Sequence, residues 1–123
     1  MRKKVLVVED SPLMRGMVCS ILKKNEFTPY ESSSGIKALA TAKDASPDAI
    51  LLDVRMPNMD GMMTYKEIRN SDWGKNTPVI MLTSSDDKEV LAWIAAEGLD
   101  NVKKDEAMEV RIVELLNKKL GAV

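Results

Sequence analysis

Two short runs of the chain, Val5–Val8 and Ala49–Leu52, are apolar at every position rather than at alternate ones. That pattern predicts strands buried on both faces, as in the middle of a parallel sheet. A third strand candidate, Phe27-Thr28-Pro29-Tyr30-Glu31, contains a proline. Proline is tolerated mainly at a sheet edge, so this strand is predicted to be an edge. Pro78–Thr83 reads as another strand, with its proline at the permitted first position, and residues 101–104 as a weak fifth. Between the strands the period changes. Apolar residues at 13, 14, 17, 18, 21 and 22 recur at helical spacing, behind a capping Ser11 and a first-turn Pro12, and run out at Lys23-Lys24-Asn25. Further helices are predicted over 36–44, with Ile36, Leu39 and Ala40 inward, and over 62–70, 86–96 and 105–120. Gly98 is placed to end the helix over 86–96.

Five strands alternating with five helices argue for an α/β fold, a parallel sheet doubly wound by helices on both faces. With an edge-type second strand, the natural order is 2-1-3-4-5. The first and third strands are then neighbours, and the crevice at the topological switch lies at their C-terminal ends. Glu9, Asp10 and Asp53 stand at those ends.

Composition narrows the partners. The 123 residues fit one domain with a real core. With 18 basic and 19 acidic residues, no basic field points to nucleic acid. No apolar run approaches membrane-spanning length, and the first ten residues are too short and too soon acidic for a signal peptide. Without histidine there is no usual zinc site, and the single Cys19 excludes an internal disulfide and suits a reducing cytoplasm. Cys19 is expected to be a small helix residue rather than a redox thiol.

The chemistry centres on Ile50-Leu51-Leu52-Asp53-Val54-Arg55-Met56-Pro57-Asn58-Met59-Asp60-Gly61, a buried strand that delivers an acid into a turn-rich loop. Three carboxylates converging at one crevice repel unless a cation joins them, and Mg2+ suits an all-oxygen site that keeps room for water and a phosphate oxygen. An aspartate neutralised in this way can attack phosphorus and form an aspartyl phosphate. Positioning and charge neutralisation are most of what phosphoryl transfer asks of a protein. Thr83, at the end of the fourth strand, offers a hydroxyl, and Lys103-Lys104, at the end of the fifth, offer a cation.

Over essentially its whole length the chain resembles the receiver domains of two-component response regulators. Glu9-Asp10 after an apolar strand, the pattern Asp53-x-x-Met56-Pro57-x-x-Asp60-Gly61, and Met81-Leu82-Thr83-Ser84 carry the resemblance. It implies a flavodoxin-like fold and phosphorylation of Asp53 by a histidine kinase or histidine phosphotransfer protein. It further implies Mg2+ held by Asp10, Asp53 and the Arg55 carbonyl, with Glu9 acting through water, and a Thr83 hydroxyl that donates to the phosphoryl group. The only catalysis expected is the domain's own phosphorylation and dephosphorylation.

Receivers usually close the fifth strand with an aromatic, two further residues and Lys-Pro. Here Gly98-Leu99-Asp100-Asn101-Val102-Lys103-Lys104-Asp105 has neither aromatic nor proline. A gapless match would bury Lys103 at a cost. One deletion turns Val102 inward and brings Lys104 to the site, so Lys104 is preferred and Lys103 is the alternative. Without the aromatic, the usual coupling from Thr83 cannot operate. The fourth helix, Val90-Leu91-Ala92-Trp93-Ile94-Ala95-Ala96, is apolar all round. Either Leu91 and Trp93 meet an effector or a second copy, or Trp93 folds back over the sheet edge; the resemblance favours the partner. Met56, Met59, Met62 and Met63 crowd the loop and helix after Asp53 as filler or adaptable partner surface. Met1 directly before the first strand and Val123 just after the last helix suit a stand-alone cytoplasmic switch over residues 1–123. The competing reading is a docking module that works without phosphorylation. A flavin or nucleotide binder is disfavoured, because Glu9-Asp10-Ser11 repels phosphate.

Overall fold

A computed structural model describes residues 2–84 and 87–121. Ser85, Asp86 (expected to open the fourth helix) and Val123 lie outside the described residues. The elements are β1 (Lys4–Val8), α1 (Pro12–Lys24), β2 (Thr28–Ser32), α2 (Gly35–Ala45), β3 (Ala49–Asp53), α3 (Gly61–Asn70), β4 (Val79–Thr83), α4 (Lys88–Ala96), β5 (Asp100–Lys103) and α5 (Met108–Leu120). The strands are parallel in the order β2-β1-β3-β4-β5. This is the doubly wound sheet that the periodicity predicts, and the flavodoxin-like fold that the family resemblance implies.

The all-apolar strands feed two cores. Val5, Val7, Leu51, Ile80, Leu82 and Val102 face α1 and α5, where Val18, Leu22, Ile112 and Leu116 meet them. Leu6, Val8, Ile50, Leu52 and Met81 face the other way, against α2, α3 and α4. Proline at the edge strand is accommodated by register. Thr28 N–H donates to Lys3 O at 2.9 Å and Ser32 O accepts from Glu9 N–H at 3.1 Å, so the even positions of β2 bond inward. Pro29, lacking a donor, sits at an outward position.

Helix faces depart from the simple stripe. In α1 Leu13 and Met17 are exposed, and Cys19 joins Val18 and Leu22 inside. Burial pushes the Cys19 thiol up to about 11, which keeps it inert. In α2 the expectation of inward Ile36 and Ala40 is overturned: both are exposed, and Gly35, Ala38 and Ala42 face the core, with Leu39 at its margin. Small residues are needed because α2 lies tight against α3. A Cβ at Gly35 would meet Thr64 Oγ1 at 2.2 Å and Met59 O at 2.9 Å. α5 starts at Met108 rather than Asp105, because Asp105 first closes a turn by accepting from the Ala107 N–H at 2.9 Å. α4 ends as expected, with Gly98 at φ 68 beyond the last turn.

One side of α4 is covered by α3, while Leu91 and Trp93 stay partly exposed. Trp93 packs edge-on against Tyr65 of α3, with ring centroids 5.6 Å apart, and only Val90 and Ile94 of the helix are fully buried. α4 is thus lightly seated.

Packing yields one paired prediction. Gly35→Ala destabilises by ~1–3 kcal/mol through overpacking against Thr64 and Met59. Gly16→Ala, exposed in α1 with nothing within 4 Å of the new methyl, stabilises by ~0.5–1 kcal/mol. Urea denaturation midpoints read both, and opposite signs are expected.

Candidate functional site

Parallel strands in this register all end on one edge of the sheet. Val8 lies beside Leu52, Asp53 beside Leu82, and Thr83 beside Lys103. Glu9 and Asp10 therefore follow β1 at the same level at which Asp53 ends β3, Thr83 ends β4 and Lys104 follows β5. Carboxylate oxygens of Glu9, Asp10 and Asp53 lie within 4.8 Å of one another. Glu9 and Asp53 are buried, and Asp10 is exposed. Lys104 Nζ stands between the two buried acids, 2.6 Å from Glu9 Oε2 and 2.9 Å from Asp53 Oδ1. Val102 points inward and Lys103 lies on the exposed side of β5, so the lysine in contact with the acids is Lys104.

The local sequence explains how each acid is held. Ser11 caps α1 by accepting from the Met14 N–H at 3.3 Å, while the Ser11 N–H donates to Glu9 Oε1 at 3.2 Å. Arg15, one turn further on, donates from Nη1 to the Glu9 carbonyl at 2.8 Å. After Asp53 the chain turns through Asn58, at φ 68, to Asp60, which caps α3 by accepting from the Met63 N–H at 2.9 Å. Gly61 closes this loop onto the strand end, because a Cβ there would lie 2.2 Å from Asp53 O. Arg55 extends outward and forms an ion pair with Asp87, the N-cap of α4.

Charge does not balance at this edge. Two buried carboxylates share one ammonium, and Asp10 adds a third negative group at the rim. Burial pushes the Asp53 carboxyl up to about 6, the Lys104 contacts oppose the rise, and the charge of Glu9 adds to it. Burial pulls the Lys104 ammonium down, but its bonds to Glu9 and Asp53 outweigh that and hold it above the ordinary lysine range. Glu9 Oε2 has the Lys104 ammonium, at 2.6 Å, as its partner. An all-oxygen donor set with surplus negative charge and an exposed Asp10 suits a hard divalent cation.

Arg15 and the Arg55–Asp87 pair escaped the sequence reading. Arg15 sits six residues after Glu9, a spacing that signals nothing until α1 is known to fold back on its own entry loop. Arg55 and Asp87 are 32 residues apart, and only the alignment of strand ends brings them together.

The family profile described as "Response regulator receiver domain" matches residues 5–119. The chemotaxis protein CheY of Bacillus subtilis is 34% identical over 123 residues, covering 98% of this chain and 100% of that protein. The phosphate regulon transcriptional regulatory protein PhoB of Escherichia coli is 35% identical over 89 residues, 72% of this chain but 39% of its own length. Among solved structures, the receiver domain of the sensor histidine kinase PA1611 from Pseudomonas aeruginosa superimposes with a TM-score of 0.88 at 26% identity, covering 99% of this chain and 100% of that one. That structure has a magnesium ion coordinated in its active-site cleft.

Asp53 supplies a metal-free stability prediction. Its folded carboxyl, at about 6, lies above the ordinary 3.8, so its contribution is fully present below the ordinary value and is lost as pH rises through about 6. The loss is at most ~3 kcal/mol. Asp53→Asn keeps the shape without the charge and, in the presence of chelator near neutral pH, melts several degrees above wild type. The difference vanishes in acid below the ordinary carboxylate range. Thermal melts across pH check this, and a variant that melts lower at neutral pH contradicts it.

Proposed function

Because the chain belongs to the response regulator receiver family, we propose that it is a signalling switch that accepts a phosphoryl group on Asp53 from a phosphohistidine donor. The donor is a histidine kinase or a histidine phosphotransfer protein. The observation that carries this reading is the convergence of Glu9, Asp10 and Asp53 around the Lys104 ammonium at the sheet edge. An Asp53 oxygen forms the new P–O bond as the P–N bond of the donor breaks and the electron pair returns to its imidazole. Later attack by water breaks the acyl phosphate, restores the carboxylate and releases inorganic phosphate. The domain performs these two steps on itself and no others.

Each residue has a part in this account. Asp10, Asp53 and the Arg55 carbonyl would hold Mg2+, with Glu9 acting through water, and the bound cation would supply charge neutralisation for the acids and the phosphoryl oxygens. Once Asp53 is phosphorylated, Lys104 exchanges its contact with the Asp53 carboxylate for a phosphoryl oxygen. Thr83, buried at the end of β4, donates its hydroxyl to the phosphoryl group. Magnesium in the related PA1611 receiver supports the metal assignment.

The match along the whole of CheY of B. subtilis supports reading the chain as a receiver switch of that kind, acting in the cytoplasm. No described helix is long and apolar enough to cross a membrane. Its effector, or a second copy, uses the α4 face at Leu91 and Trp93, both partly exposed.

The test is reaction with beryllofluoride and magnesium. Wild type forms one adduct and its tryptophan fluorescence changes; Asp53→Asn does neither. Lys104→Ala lowers the rate of phosphorylation by a small acyl phosphate on the order of 100-fold, as loss of a preorganised cation does. Lys103→Ala changes it little. A folded, magnesium-supplied wild type that stays unmodified leaves the phosphorylation-independent docking module as the reading.

A further inference from the structure

β5 has no aromatic three residues before Lys104; Asn101 stands there, paired with Met81. Whatever reports the state of Asp53 must reach the surface by another route. One contact leads directly from the Asp53 loop to a helix. Arg55, two residues beyond Asp53, forms an ion pair with Asp87 Oδ2. Asp87 Oδ1 meanwhile caps α4 by accepting from the N–H groups of Glu89, at 3.0 Å, and Val90, at 3.3 Å. One carboxylate therefore both starts α4 and ties it to the acceptor loop. The helix is otherwise lightly held, with Val90 and Ile94 buried and Trp93 resting on Tyr65 of α3.

We propose that the Arg55–Asp87 ion pair is a latch that phosphorylation of Asp53 opens, releasing the N-terminal end of α4. This rests on the reading of Asp53 as the phosphoacceptor. Arg55 starts at most ~7 Å from Asp53 along the chain, well within the span of its side chain. In the resting site Lys104 already serves both buried acids. A phosphoryl group adds a multiply charged anion with more acceptor oxygens for a guanidinium fork than the one Asp87 oxygen that Arg55 meets at rest. The resting pair is easily given up, since the Arg55 side chain is 64% exposed and solvent-screened pairs are weak. When Arg55 turns to the phosphoryl group, Asp87 keeps its capping bonds but loses its tether, and α4 shifts about its remaining contacts at Trp93. The face carrying Leu91 and Trp93 thus changes with the charge on Asp53, with no aromatic in β5.

The experiment uses the full chain with Trp73→Phe, which leaves Trp93 as the sole tryptophan. Beryllofluoride with magnesium is the probe, fluorine NMR reads the bound adduct, and Trp93 emission reads α4. In this parent the adduct forms and Trp93 emission shifts. Asp87→Asn preserves a good N-cap but removes the charge; its resting emission moves toward the activated value, and most of the shift per adduct is lost. Arg55→Gln, on the exposed side of the pair, shows the same loss per adduct. The latch is overturned if both variants keep the parent's resting emission and full shift, or if the parent forms the adduct without any Trp93 change; Asp53 as acceptor then stands. Absence of adduct in the parent removes the acceptor reading and the latch together.

Discussion

Two buried carboxylates sharing one ammonium set the terms for the rest of this molecule. Glu9 and Asp53 both reach Lys104, and the single positive charge leaves the edge of the sheet short of cations. Burial raises the cost of that surplus, which is why the Asp53 carboxyl is pushed up to about 6 despite its lysine partner. A site in this state gains from any ligand that brings positive charge, and Asp10 at the open rim adds a third oxygen donor. The electrostatic shortfall fits a site for a divalent cation, and it is the basis of the proposal that Asp53 accepts a phosphoryl group.

The fold exists in a form that imposes this shortfall. β1 and β3 are apolar on both faces because helices cover both, so their side chains cannot carry polar chemistry until the strands end. Parallel pairing brings those ends to one level, and the acids are the first residues free of the core. Gly61 and the Asp60 cap then turn the chain sharply away from Asp53 into α3, which keeps that carboxylate at the crevice. Stability and chemistry meet at the same residues: each position that tightens the loop also fixes the carboxylate.

Much of this was legible in the residues. Strand order followed from Pro29, which confines β2 to an edge, and from the unbroken apolar runs of β1 and β3. The acids were legible because they stand directly after those runs, and Lys104 because burying Lys103 in its place would isolate a charge. Helix faces were less legible. Ile36 promised an inward face for α2, but the close approach of α3 admits only small side chains there, and that spacing is a tertiary fact. α5 begins late because Asp105 prefers its own turn, a local competition that helical periodicity does not reveal. Contacts between distant loops, such as Arg15 with Glu9 and Arg55 with Asp87, have no sequence signal at all, because each depends on how strand ends align.

The central claim is that the charge-deficient cluster makes Asp53 a cation-dependent phosphoacceptor. Its most direct test is to locate the phosphoryl group. The protein is incubated with a small acyl phosphate, with and without magnesium, then reduced with borodeuteride, which expels the phosphate and leaves deuterium-labelled homoserine at the acceptor, and mapped by peptide mass spectrometry. The account predicts a single modified residue, Asp53, formed with magnesium and absent in chelator. Label on another residue, or equal labelling of Asp53 without a divalent cation, would contradict it.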